Sequence, residues 1–198
     1  MSKRDPLVRD TKQRILDAAV EVFGERGYRG ASVDDVAAAA GVTKGAVYYY
    51  FADKADLARD LQHALWERLA QDALAVYDPG RPTVDNLLAC FEAFLGTIRE
   101  LSGARTFLRE AWFTAELDSA GRADQEDALG LVQGLLQAGM DRGELVVVDP
   151  ETLARVLVGA LMEATLHTLG SGQVEPTMEV VGHLVRSFAT TPSPSEAR

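Results

Sequence analysis

The 198 residues predict an all-α protein of about nine helices. Three observations carry that expectation. Apolar residues recur at three- and four-residue spacing through most of the chain, as one buried helix face requires. Capping side chains head several of these segments, and glycines close them. Only "LVVVD" (145–149) has the composition of a strand. No second segment offers it a pairing partner, so it reads as an extended connector.

The elements follow in order. Asp10, with Gln13 three residues on, is an acidic variant of a capping box. It opens a helix with Ile15, Ala19, Val22 and Phe23 on one face, and Gly27 ends it. Residues 1–9 precede it as a flexible arm. Ser32 caps "VDDVAAAA", with Asp35 three residues later, and Gly41 is the stop. Thr43 caps a third short helix through about Tyr50, and Asp53 caps a fourth over 54–77. "DPGRP" (78–82) is a break. Helical patterns then cover 83–101, 104–117, 125–142, 150–169 and 176–189, with "DSAGRAD" (118–124) among the connectors. The tail from 190 to 198, "TTPSPSEAR", has the composition of a disordered segment. The domain reading is therefore 10–53 and 54–189, with 54–77 connecting them.

Charge divides the chain in the same place. The net charge is −10. Residues 1–60 hold ten Lys/Arg and ten Asp/Glu, whereas 61–198 hold ten and twenty. All four lysines, Lys3, Lys12, Lys44 and Lys54, lie in the first sixty. A neutral N-terminal module can approach phosphates, and the acidic remainder would repel them.

Several function classes lack support. Cys90 is the single cysteine, which fits a reducing compartment. It reads as a buried small hydrophobe, with no basic neighbour in sequence to activate it. "MSKRDPLVRD" lacks the apolar stretch of a signal peptide. The longest apolar run, "VLVGALM" (156–162), is too short to span a bilayer. A cytoplasmic protein with no membrane partner is expected. His63, His167 and His183 have no metal-ligand spacing. No phosphate-binding glycine loop, nucleophile elbow or spaced carboxylate pair occurs. No enzyme, metal or cofactor is expected.

The stretch from Ser32 to Tyr50 carries the function. Two short helices about a tight Gly41 turn have helix-turn-helix spacing, with the 10–27 helix behind them. In this motif the second helix enters the major groove with its N-terminal residues. Here those are Thr43, Lys44, Gly45 and Ala46. Lys44 can donate to guanine O6/N7 or to a phosphate. Gly45 lets backbone approach DNA closely. Val47 and Phe51, four apart, point inward. Tyr48 lies one turn beyond Lys44 on the groove side, and Tyr49 and Tyr50 flank it within reach of phosphates. Lys54 and Ser32, at the starts of helices, offer further phosphate donors.

Residues 11–57, "TKQRILDAAVEVFGERGYRGASVDDVAAAAGVTKGAVYYYFADKADL", resemble the DNA-binding domain of TetR-family transcriptional regulators at nearly every position. The resemblance implies an all-helical homodimer with a C-terminal ligand-binding domain. It also implies a double-stranded DNA partner and a small-molecule effector. By it, Lys44, Gly45 and Tyr48 match base-reading positions, and Ser32, Thr43, Tyr49, Tyr50 and Lys54 match phosphate-contacting ones. Two departures stand out. Asp34 sits where some members place a basic, base-contacting residue. "YYYF" replaces the commoner Tyr-Tyr-His-Phe order.

The second domain is less specific. "VLVGALMEATL" is apolar nearly all round, so burial on more than one side is expected. Gly159 and Ala160 permit close helix approach. Met178, Val181, Val185 and Phe188 form one stripe of the last helix. Two helices from each protomer would make a four-helix interface, with Val156 and Glu163 also on it. A ligand pocket would draw on Trp66, Phe91, Phe94, Phe107, Trp112, Phe113 and Met162. Trp66 and Trp112 are favoured, because a buried indole N–H wants a polar partner. The ligand expected is a small lipophilic or aromatic molecule, released-operator repression being the regulatory logic.

Overall fold

The computed structural model describes residues 6–112, 114 and 118–190. Among these, regular structure is helical: α1 (Pro6–Gly30), α2 (Val33–Ala40), α3 (Lys44–Tyr50), α4 (Lys54–Ala75), α5 (Thr83–Glu100), α6 (Arg105–Trp112), α7 (Asp118–Asp141), α8 (Pro150–Ser171) and α9 (Glu175–Arg186). A 3-10 turn, Ser102–Ala104, precedes α6. The connector 145–149 makes no strand among the described residues, only an isolated antiparallel bridge from Leu145 to Ala189.

Several boundaries differ from the sequence expectation: α6 ends at Trp112 rather than 117, α9 ends at Arg186 rather than 189, and two helices start earlier. Helix α1 begins at Pro6, so residues 6–9 are helical and not an arm, and Asp10 is no cap. Proline suits a first helical turn because its missing N–H would have had no partner there. Gln13 Nε2 donates instead to Asp17, one turn on, at 2.9 Å. Helix α7 begins at Asp118, so "DSAGRAD" is its first two turns. An acid at the N-terminus and the alanines at 120 and 123 favour the helix, outweighing a single glycine.

The chain forms two compact units. One is Met1–Glu67 with Leu101–Asp124, and the other is Arg68–Glu100 with Gln125–Arg198. These units do not divide at 53/54: α4 as far as Glu67 falls in the first unit, and α6 joins the N-terminal helices as well. Packing within that unit explains why. Phe107 of α6 is fully buried and stacks on Phe23 of α1, with ring centroids 5.4 Å apart. A Cβ on Gly24 would run into the backbone of Gly103, so the two segments meet at a glycine. At Gly27 the backbone leaves the helix with φ 73°, a conformation that favours glycine. The N–H of Tyr28, freed by that break, donates to the Glu110 carboxylate of α6 at 2.7 Å.

In the second unit α5 packs on both α8 and α9. Leu87, Leu95 and Ile98 of α5, Leu157 and Val158 of α8, and Val181 and Val185 of α9 are buried. The "DPGRP" break is organised by buried Asn86, which donates to the carbonyls of Asp78 and Arg81 and accepts from the Asp78 N–H. Thr190 is held too, its N–H donating to Glu144 O and its hydroxyl to Gly143 O. The rest of the 190–198 tail lies outside the described residues.

Candidate nucleic-acid interface

The module is built from caps. Ser32 and Asp35 form a reciprocal capping box: Asp35 N–H donates to Ser32 Oγ at 3.2 Å, and Ser32 N–H donates to the Asp35 carboxylate at 2.9 Å. The Ser32 hydroxyl also donates to that carboxylate at 2.6 Å. These bonds from Ser32, aided by Arg26 at 2.6 Å, hold the Asp35 carboxyl below the usual range. Gly41 closes α2 in the left-handed conformation, φ 64°. Arg14 of α1 donates to the Ala40 carbonyl at 2.6 Å, tying the turn to the supporting helix. Thr43 Oγ1 accepts from Ala46 N–H and so starts α3.

Helix α3 then sorts its side chains as the spacing requires. Val47 and Phe51 are buried, and Tyr48 and Tyr49 are 47% and 77% exposed. Tyr50 is half-buried, with Tyr49 edge-on to it at 5.0 Å between centroids. Ser32, Thr43, Lys44 and Gly45 are all exposed. A Cβ at Gly45 would meet nothing closer than 3.9 Å. The fold itself therefore does not need glycine there.

Two lysines that look alike in sequence are placed differently. Lys44 is exposed and pairs with Asp34 at 2.7 Å, a contact with no signal in the sequence. The bond from Asp34 raises the Lys44 pKa. Lys54 turns inward instead. Its ammonium donates to the carbonyls of Tyr28 and Ala31 at 2.8 and 3.1 Å and lies 4.5 Å from the Tyr28 ring centre. The start of α4 is capped by Asp53, which accepts from Asp56 N–H at 2.7 Å.

The candidate pocket residues do not gather in one unit. Trp66, Phe107 and Trp112 belong to the first, and Phe91, Phe94 and Met162 to the second. Phe107 is fully buried and stacks on Phe23 within the first unit. Phe91 and Phe94 are buried on α5, while Trp66 and Met162 are half-buried. Phe113 and the Trp112 side chain lie outside the described residues.

The candidate dimer residues also divide. Val156, Gly159 and Glu163 are exposed along one side of α8, with Ala160 half-buried beside them. Val181 and Val185 are buried within the protomer, which corrects their place on an outer face. The i, i+4 stripe of α9 serves the intrachain core, and Val180, 70% exposed, is its outward apolar residue. Phe188 is half-buried, its carbonyl accepting from Val146 N–H.

Among the described residues no group of three metal-ligating side chains occurs, and no helix is long and apolar enough to cross a membrane.

Comparison with known proteins decides the family. Residues 15–61 match the profile of bacterial regulatory proteins of the tetR family. Residues 84–190, more than half the chain, match that of the tetracyclin repressor-like C-terminal domain. The chain belongs to the TetR family. This TetR-family regulator is 30% identical over 172 residues to the HTH-type transcriptional repressor BepR of Brucella suis, covering 80% of this chain and 81% of that protein. It is 43% identical over 58 residues to the HTH-type transcriptional regulator AcrR of Shigella flexneri, a match to 29% of this chain and only 25% of that protein. Solved TetR-like folds superpose closely. The fatty acid degradation regulator FadR of Bacillus halodurans gives a TM-score of 0.79 at 22% identity, over 93% of this chain and 96% of that one. FadR of Bacillus subtilis, solved with stearoyl-CoA, gives 0.78 at 21%, over 87% and 96%.

Family membership makes 15–61 a helix-turn-helix DNA-binding domain and 84–190 the ligand-binding type of C-terminal domain. The C-terminal match includes α6, which packs in the N-terminal unit through Phe107 and Glu110. Sequence could not have exposed the Glu110–Tyr28 bond, since its partners lie 82 residues apart with no local signal.

Proposed function

We propose that this TetR-family regulator is a cytoplasmic homodimeric repressor. It holds a palindromic operator and leaves it when a small lipophilic or aromatic molecule binds the C-terminal domain. One observation carries the DNA half of the reading. The exposed face of α3 combines a cation, hydroxyl-bearing rings and a glycine with open space in front of it. Lys44, Gly45 and Tyr48 would meet base edges, and Ser32, Thr43, Tyr49 and Tyr50 would meet phosphates. Lys54 fits less well as a phosphate ligand, since two carbonyls already hold it.

The dimer would use the exposed Val156–Gly159–Glu163 side of α8, with Ala160, and Val180 of α9. A two-fold dimer sets two recognition helices about 34–36 Å apart, the repeat of successive major grooves. Phe91, Phe94 and Met162 are the candidate ligand contacts of the second unit. The stearoyl-CoA bound by the Bacillus subtilis neighbour supports an acyl or otherwise lipophilic class. The ligand must favour the DNA-free state, or the equilibrium does not move. Within the first unit, Glu110 of α6 ties part of the C-terminal family match to α1 through the backbone of Tyr28.

The test is fluorescence anisotropy on DNA flanking the protein's own gene and on a randomised DNA pool, across salt concentrations. Lys44→Ala should weaken specific binding by about 5- to 150-fold, the worth of one good base contact. Its helicity and thermal midpoint should stay put. Binding of the unaltered protein should weaken steeply with salt as phosphate contacts release counterions. Salt-insensitive binding, or an unaffected Lys44→Ala variant, would remove this face from DNA recognition.

A further inference from the structure

Asp34 is the second residue of α2, between the capping-box partners Ser32 and Asp35, and takes part in neither of their bonds, so the cap does not require it. Its carboxylate meets the Lys44 ammonium at 2.7 Å across the turn, and both side chains are more than half exposed. Tyr48 lies one helical turn beyond Lys44 on α3. An acid on a surface that must face phosphates repels them. Resting on the DNA-binding reading above, the question is what offsets that repulsion in the complex.

The exposed pair has two options. An exposed ion pair is weak, so it opens at little cost. If it stays closed, Lys44 is neutralised and contributes little to reading bases or to salt sensitivity. If it opens, Lys44 is free to donate to guanine O6/N7, and Asp34 is left needing a donor. The major groove offers carboxylates such a donor in the amino group of cytosine, N4–H₂. On a sequence lacking that donor, the carboxylate either keeps Lys44 or faces phosphates unpaired.

We infer that Asp34 is a specificity-determining residue: it masks Lys44 on non-cognate DNA and reads a cytosine amino group beside the guanine that Lys44 reads. The two side chains thus act as one reader of a G·C-rich step. Discrimination comes partly from what the acid rejects, at the expense of non-specific affinity.

The experiment is in vitro selection from a randomised DNA pool with the full chain, Asp34→Ala, Asp34→Asn and Lys44→Ala, followed by affinity measurement at several salt concentrations. Unaltered protein should require cytosine at one position in each half-site, adjacent to a required guanine. Asp34→Ala should lose the cytosine requirement alone, flattening discrimination there by about 5- to 150-fold. It should bind the random pool more tightly, with a steeper salt dependence, because Lys44 is unmasked. Asp34→Asn keeps the shape of the side chain and should also cease to favour cytosine, since an amide prefers adenine N6/N7. Circular dichroism checks that α2 survives each change. Unaltered base preferences in both Asp34 variants, with Lys44-dependent binding intact, would overturn this inference and leave the regulator reading standing. So would equal loss of binding to every sequence. No salt-sensitive binding by the unaltered protein would overturn both.

Discussion

The two ends of this chain use apolar and polar residues in opposite ways. In the N-terminal module each short helix is fixed by side-chain caps, and its functional face is defined by what stays exposed. Tyr48 and Tyr49 lie outside, although they sit directly between the buried Val47 and Phe51 in the chain. In the C-terminal unit the helices are mostly long, and the apolar residues proposed for ligand and subunit contact have the same composition as the core. A solvent-facing tyrosine on a seven-residue helix needs an explanation, whereas a buried Phe91 or Leu157 already has one. Exposure thus singles out the proposed DNA-reading face, whereas burial leaves Phe91 and Phe94 indistinguishable from ordinary core.

Val180 and Val181 of α9 give the sharpest way to break that comparison. They are sequence neighbours, yet one is 70% exposed and the other buried. Val181→Asp should cost about 3 kcal/mol or more, enough to unfold the unit or lower its midpoint steeply, since it buries an unpaired charge. Val180→Asp should leave protomer folding intact and weaken self-association, read by sedimentation at several concentrations. Equal effects of the two on stability would mean that α9 turns a different face toward α5 and α8.

Lys54 is the next test, because it is the residue on which sequence and structure diverge most within the module. A lysine at a helix start beside a tyrosine run reads as a phosphate ligand. The structure gives its ammonium to two carbonyls and the Tyr28 ring. Lys54→Met keeps the stem and removes the charge. It should lower stability by about 1–2 kcal/mol in denaturant titration, the scale of charged hydrogen bonds in a part-buried place. Lys44→Ala should not. A Lys54→Met variant of full stability and reduced DNA affinity would restore the phosphate role.

The divergence shows what sequence can carry. Ser32, Asp35, Gly41, Thr43 and Asp53 were legible because a cap is a local event, decided within four residues. The inward Val47 and Phe51 follow from helical period alone. Lys54, Glu110 and Asp34 were not legible because their partners are set by packing between elements. Tyr28 and Ala31 meet Lys54 from more than twenty residues away, and Glu110 meets Tyr28 from 82. Val181 and Val185 failed for another reason. A stripe at i, i+4 shows that one face is apolar, not whether its neighbour belongs to the same chain.

Glu144 offers a smaller contrast, since it tests the C-terminal unit by pH. Its carboxylate bonds Arg142 at 2.6 Å and accepts from Thr83 N–H at 2.6 Å, capping α5. Bonds from Arg142 and then Thr83 hold its pKa at about 2, against an ordinary 4.5. A depressed carboxyl stabilises the fold above its unfolded pKa and loses that contribution as pH falls through the folded one. The stabilisation is therefore complete above about pH 4.5 and fades toward pH 2. Glu144→Gln should lower neutral-pH stability by about 1 kcal/mol, as its partners are partly solvated. Its stability should also fall less steeply between those two values. An unchanged acid limb would mean that the pair contributes nothing in solution.

The smallest effect separates folding from function most cleanly. Gly45 has open space where a Cβ would go, and its backbone is helical without positive φ. Alanine is favoured over glycine inside a helix by about 0.8–1 kcal/mol, so Gly45→Ala should raise stability by up to that amount. The same methyl projects from the start of α3 beside Lys44, on the face proposed to read DNA. Operator affinity should fall even as the thermal midpoint rises. A variant that gains stability with no loss of affinity would show that DNA stands off from this helix start, and the reading face would have to be shifted toward Tyr48 and Tyr49. A variant that loses stability would show instead that glycine at 45 serves the fold, despite the open space around it.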